Sequence, residues 1–410
     1  MVFIGLRMGD ALSLLNNIVL GRWLDPVEFG QANALLKALS IPTIAIGVMV
    51  CREAVWLSET QTRDALLRRA WRWFLVLTCI GTGCGVLVVV LGSVFQTIFK
   101  FSHQSVCYAI AATVAVTIMS SLWGSVLQGQ RQFVQLSTVP LLQGMVRIVA
   151  TMALIYMGFH LAGAMMAPTL AMLATMAWCM YWVHRAPGSA LAQPPVGTAS
   201  LVRPHLLTMF LNDLIPLTAL TILLSTDVIV VNYLLPADTG GYAAVTTIGQ
   251  ITFYVPQGIV IALLPYVMRD SIQGRTSRWY FLMSVAATGL VSGVIIWLLY
   301  QWHSQIMHLY NPVFVRHAGY MPRYTVAMGM FSIVTITTNY AMARGIRRIG
   351  LYLLCLVPIQ IALYYFASGS LQSLIDRTVM VAFLALAGSL VLLVPHRPQT
   401  APVADISQNT

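Results

Sequence analysis

Six ionisable side chains sit where their surroundings are almost wholly apolar: Arg7, Asp10, Lys37, Arg147, Asp213 and Asp227. An arginine offers a planar fork that grips phosphate oxygens, whereas a lysine acts as a mobile point charge. Arg7, Lys37 and Arg147, set at different depths, could pass a pyrophosphate or an acidic sugar from one to the next. Interhelical salt bridges, or outward snorkelling of Lys37 and Arg7, are the structural alternatives. At helical spacing Arg7, Asp10 and Asn17 share a face, with Asn16 beside them, which gives a polar wall for a cavity or an i,i+3 pair near the headgroups. Asp213 and Asp227 are fourteen residues apart. On a helix they point the same way about 21 Å apart, too far for a carboxylate dyad, but suited to proton or Na⁺ gating near two mouths. Pro216 between them removes a backbone hydrogen bond and marks an expected hinge.

Other chemistry is poorly supported. The six cysteines lack metal-ligand spacing and read as small buried hydrophobes. Gly81, Gly83 and Gly85 form a close-packing surface and not a nucleotide loop. No phosphate loop, metalloprotease His pair or nucleophile elbow occurs, and no cofactor or metal is expected. Trp302, His303, His308, Tyr310, Asn311, Arg316 and His317 cluster within residues 301–319. They suit sugar stacking or, more simply, an interfacial aromatic belt.

The elements that hold these residues follow from composition. The chain has 410 residues, 58% hydrophobic and 9% charged, too few charges to cover a core of this size in water. Residues 73–99, 101–130 and 148–184 contain no Asp, Glu, Lys or Arg. A helix crosses the hydrocarbon in about 20 residues, and in lipid the backbone must satisfy its own hydrogen bonds. The expected class is therefore all-α and polytopic, with about twelve spans near 2–20, 29–51, 73–99, 106–127, 137–158, 161–183, 206–232, 241–268, 279–300, 320–342, 350–368 and 378–394. The connections after the even-numbered spans, with the tail, hold fifteen Lys and Arg, and the opposite side holds five. Basic residues in short loops stay cytoplasmic. Both termini are expected inside a bacterial inner membrane, and the net charge of +11 reads as a topology signal and not as nucleic-acid binding. Span 1 starts beside Met1 with no basic leader, so a misassigned start or a trimmed N-terminus is expected.

Residues 186–202 are rich in Pro, Gly, Ala and Ser and lie near the midpoint. They divide an N-terminal six-helix bundle (1–185) and a cytoplasmic linker (186–205) from a C-terminal bundle (206–394) and a tail (395–410). Six spans per half give both halves one orientation and a pseudo-two-fold along the membrane normal. A repeated motif supports this. Leu24-Asp25-Pro26-Val27-Glu28-Phe29-Gly30 joins spans 1 and 2, and Leu234-Leu235-Pro236-Ala237-Asp238-Thr239-Gly240 joins spans 7 and 8. The physics of the motif is structural: Pro suits a first helical turn and an acid there complements the dipole.

These two stretches resemble the signature of bacterial Wzx-type polysaccharide flippases, of the superfamily that also contains multidrug and toxin extruders and the lipid II flippase. The resemblance implies two six-helix bundles around a central cavity with alternating access. It further implies transport of an undecaprenyl-pyrophosphate-linked oligosaccharide to the outer leaflet; whether a polysaccharide polymerase complex is a partner stays open. The short N-terminus departs from that pattern. A cation-coupled small-molecule exporter is the alternative, and three cations against three acids leave the two undecided. A membrane polymerase or ligase is a third; it would need a large outer loop, and none exceeds about twenty residues.

Overall fold

The computed structural model describes residues 2–41, 63–101, 103–130, 132–185, 206–259, 278–344, 346–366 and 369–393. The linker at 186–205, the tail, residues 42–51 of span 2 and residues 260–268 of span 8 lie outside these. In the N-terminal half the helices are α1 (Val2–Trp23), α2 (26–41), α3 (Arg63–Val90), α4 (Gly92–Phe99), α5 (Gln104–Gly129), α6 (Phe133–Tyr156) and α7 (His160–Arg185). In the C-terminal half they are α8 (Leu206–Leu234), α9 (Thr239–Gly249), α10 (Ile251–Tyr254), α11 (Arg278–Tyr310), α12 (Met321–Ala343), α13 (Arg348–Tyr365) and α14 (Leu371–Leu393). No strand occurs among the described residues. Eight helices there are long and apolar enough to cross a bilayer: α3, α5, α6, α7, α8, α11, α13 and α14.

Helix pairing repeats between the halves. In the first, α1 lies on α6, α3 on α5, and α5 and α6 on α7; in the second, α8 lies on α13, α11 on α12, and α12 and α13 on α14. Each pairing is thus made twice by equivalent spans, as two lobes built from a repeat require. Without a hydrophobic drive between helices in lipid, close approach depends on small residues. Along α1 and α6 the contacts run Gly5 to Ser137, Gly9 to Pro140 and Leu12 to Gly144, so the two helices are parallel. Gly350 of α13 receives the Pro216 ring of α8 in the matching place. Helix α8 runs through Pro216 as one element. Antiparallel α3 and α5 meet through Gly81 at Ala115 and Gly85 at Ala111.

Several boundaries differ from expectation. Helix α3 begins ten residues early because its first turns are amphipathic: Leu66 and Ala70 are buried while Arg68 and Arg72 are exposed. Span 3 breaks at Leu91 into α3 and α4. Span 8 breaks at Gln250. The outer segment from 301 is not a loop. Helix α11 continues to Tyr310 across a non-helical Trp302 (φ −114°, ψ 17°). A 3₁₀ helix, Pro312–Tyr320, follows, capped by the Asn311 side chain accepting from the Val313 amide at 3.0 Å.

Candidate functional site

The charged residues of the N-terminal lobe reach into the C-terminal lobe. On α1, Arg7 pairs with Asp10 at 2.9 Å, the i,i+3 geometry expected from their spacing, and donates to the Tyr254 carbonyl at 2.6 Å. The Asp10 side chain keeps 54% of its surface exposed. On α2, Lys37 is half-buried and donates to the Gln250 side-chain oxygen at 2.5 Å. Gln250 and Tyr254 are one turn apart, so two cations from one lobe grip a single face of the other lobe where span 8 is interrupted.

Asp227 is 3% exposed and does not stand at an open mouth. Its carboxylate accepts from the Tyr242 hydroxyl at 2.9 Å and the Val228 amide at 2.8 Å. Lys37 is the cation that acts on it electrostatically. Tyr324 and Tyr364, both fully buried, face the same carboxylate. Gln360 donates to the Leu223 carbonyl at 3.0 Å and to the Tyr364 hydroxyl at 2.9 Å, extending the polar network into α13. A carboxylate sunk this deep needs such donors, since a buried acceptor without partners is costly. Lys37, Gln250, Asp227 and the tyrosines therefore form one polar cluster at the lobe boundary. The backbone of Asp213 lies on α8, and its side chain lies outside the described residues.

Arg147 is different. It sits just past the midpoint of α6. It is half-buried, its Nε is buried without an acceptor, and among the described residues nothing pairs with it. Asn16 also needs correction. It is 0% exposed and accepts from Thr151 of α6 at 2.8 Å, so it belongs to the α1–α6 contact and not to a polar wall. Nine residues from Arg7, it points about 180° away at helical periodicity. Asn17 stays half-buried, donating to the Ser13 carbonyl at 3.1 Å.

The lobe ends that carry the repeated motif are sealed by the motif itself. A Cβ on Gly30 would meet the Thr239 side chain at 2.6 Å, and one on Gly240 would strike the Pro26 carbonyl, so the two copies dock on each other through their glycines. Phe29 stacks on Phe314 at 5.6 Å and meets Tyr310 at 5.9 Å. Arg22 donates to the Leu309 carbonyl at 2.6 Å, and Asn311 to the Gly21 carbonyl at 2.7 Å. Behind this seam, buried His317 bonds Asp238 at 3.1 Å with Arg316 at 3.6 Å from the same carboxylate. Burial holds the His317 imidazole below its usual range, against the upward pull of Asp238. The residues read as a possible aromatic belt thus divide: Tyr310, His317 and Asn311 build the seam, while Trp302 and His308 are exposed.

No protein-family model and no curated protein matches the chain. Solved structures do. An inward-facing multidrug resistance MATE family transporter of the MOP superfamily superposes with TM-score 0.75 at 12% identity, covering 95% of this chain and 98% of that one. The chain shares the helical fold of that structure. The lipid II flippase MurJ in its inward closed conformation gives TM-score 0.70 at 12% identity, covering 95% and 86%. An outward-facing MATE transporter gives 0.68 at 14%, covering 95% and 92%. Identities this low carry the fold alone.

Sequence reasoning missed Gln250 and the three tyrosines. Gln250 was findable as one of two amides, with Gln257, in an otherwise apolar span. The tyrosines were hidden because Tyr242, Tyr324 and Tyr364 resemble ordinary interfacial aromatics until their burial is known.

Proposed function

We propose that the chain is an alternating-access flippase that moves an undecaprenyl-pyrophosphate-linked oligosaccharide from the cytoplasmic to the outer leaflet during cell-surface polysaccharide synthesis. Arg147 carries this reading. An arginine deep in a membrane helix costs about 2.5–3.5 kcal/mol on insertion scales, and a partner for it would be an anionic group that arrives with the substrate. The acids are engaged: Asp10 by Arg7, and Asp227 by Tyr242, Val228 and, at longer range, Lys37. That leaves the described charges tilted towards anion recognition, where a cationic drug would need the reverse. The similarity to a lipid II flippase supports the same class of cargo.

In this reading Arg7, Lys37 and Arg147 contact the anionic head, with Asn17 on the wall and Pro216 as hinge. Asp10, Asp213 and Asp227 gate or couple to H⁺ or Na⁺. The lobes are residues 1–185 and 206–394, with both termini on the cytoplasmic face of the inner membrane. With that orientation, the docked motif ends support reading the described state as closed to the outside. A cation-coupled small-molecule exporter is the second reading, favoured by the buried Asp227 cluster. The purified protein in liposomes, given a fluorescent lipid-linked oligosaccharide in one leaflet, separates the two. Faster transbilayer movement of that lipid, with none of a lipophilic cation, is expected; the opposite pattern would select the exporter.

A further inference from the structure

The inner ends of α3 and α7 carry a second basic site, away from the lobe seam. Trp71 of α3 meets His184 of α7 at 6.2 Å, and both rings pack on Trp123 of α5 at 5.4 and 5.7 Å. Trp123 is fully buried, whereas Trp71 is 39% and Tyr181 48% exposed. Beside this stack an open groove of about 430 Å³ is lined by Met180, Tyr181, His184 and Arg185. Arg185 donates to the Tyr181 hydroxyl and lies over its ring, 5.5 Å from the centroid. Arg68 and Arg72 stand one turn apart on α3, exposed, on either side of Trp71 in sequence, and neither has a partner among the described residues. Asp64, a further turn out, is exposed and forms no ion pair with Arg68.

We propose that this groove binds the headgroup of an anionic phospholipid of the cytoplasmic leaflet. The positive-inside bias accounts for arginines in the loops, but not for Arg185 on an open groove beside an aromatic stack whose Trp71 is flanked in sequence by exposed Arg68 and Arg72. Guanidinium forks match phosphate oxygens, exposed Trp and Tyr settle at headgroup level, and basic pockets between helix ends on the cytoplasmic side hold anionic headgroups. The site would anchor the N-terminal lobe to lipid while the other lobe moves. It relies on the proposed orientation only for which leaflet supplies the lipid, and a headgroup titration in detergent is indifferent to orientation.

Full-length protein in neutral detergent is titrated with fluorescent phosphatidylglycerol, with phosphatidylcholine and inorganic phosphate as separate competitors. Wild type is expected to prefer phosphatidylglycerol over phosphatidylcholine by roughly a hundredfold, from three arginines each acting near the surface. R72Q/R185Q should weaken phosphatidylglycerol roughly twentyfold and R68Q about fivefold. R323Q, at the opposite end and bonded to Asp376 at 3.2 Å, should bind as wild type. Equal binding of both lipids, unchanged binding in correctly folded R72Q/R185Q and R68Q, or displacement by millimolar inorganic phosphate as effective as by lipid, would each overturn the proposal.

Discussion

Arg147→Ala is expected to slow oligosaccharide flipping roughly ten- to a hundredfold while the protein accumulates normally. A charge-assisted hydrogen bond contributes about 1.5–3 kcal/mol, and each 1.4 kcal/mol is tenfold. The second half of the result matters as much as the first. If Arg147 were held in a structural salt bridge, its removal would strand a buried acid and destabilise the fold by several kcal/mol. Its Nε has no acceptor and the side chain has no described partner, so truncation should leave the thermal midpoint unchanged or raise it. Arg147→Lys keeps the charge but loses the fork, and should recover part of the rate. Flipping at the wild-type rate by R147A, measured on reconstituted protein, would remove Arg147 from the substrate path; a large fall in thermal midpoint would reassign it to structure.

Closing the outer seam should fail in Gly240→Ala. The new Cβ has nowhere to go, because it meets the Pro26 backbone and not the yielding end of a side chain. Overpacking costs about 1–3 kcal/mol. Here that penalty falls on the sealed conformer, since the colliding atoms belong to opposite lobes. A difference of that size between two states shifts their ratio about five- to 150-fold. The variant should populate an outward-open form, label readily with impermeant thiol reagents at a cysteine placed at Thr239, and transport at less than a tenth of the normal rate. Gly30→Ala should act in the same direction, because its Cβ would meet the Thr239 Cβ at 2.6 Å and the Gly240 backbone nitrogen at 2.8 Å. Gly289→Ala meets nothing within 4 Å and serves as the neutral control. Normal transport by both seam variants would show that the seam does not separate during the cycle.

The fold was legible in the chain because lipid leaves few options: long uncharged runs must be helices, and Pro26/Pro236 with Gly30/Gly240 announced the repeat before any contact was known. That the two copies touch each other was not legible, because similarity of sequence says nothing about proximity. Helix ends went astray where amphipathic turns continue beyond the membrane, as before Trp73 and after Tyr300. In the site, spacing anticipated the Arg7–Asp10 pair but misjudged Asn16, since adjacency in sequence to Asn17 turns a helical side chain by about 100°. The partners of Asp227 come from α9, α12 and, through Tyr364, α13, and only tertiary structure brings those together. Lys37 was visible as an expensive charge; its attachment to Gln250 across the lobes was not.

The account depends on water reaching the polar face of α1 between the lobes, and thiol chemistry reports that directly. In a variant freed of native cysteines, D10C is compared with V86C in inverted membrane vesicles treated with an impermeant maleimide, which reacts with the hydrated thiolate. Val86 on α3 is 62% exposed, with lipid as its expected surroundings. Rapid labelling of D10C that substrate slows, beside an inert V86C, is the predicted outcome. A D10C as unreactive as V86C would place the α1 charges in a dry environment and contradict a transport pathway between the lobes.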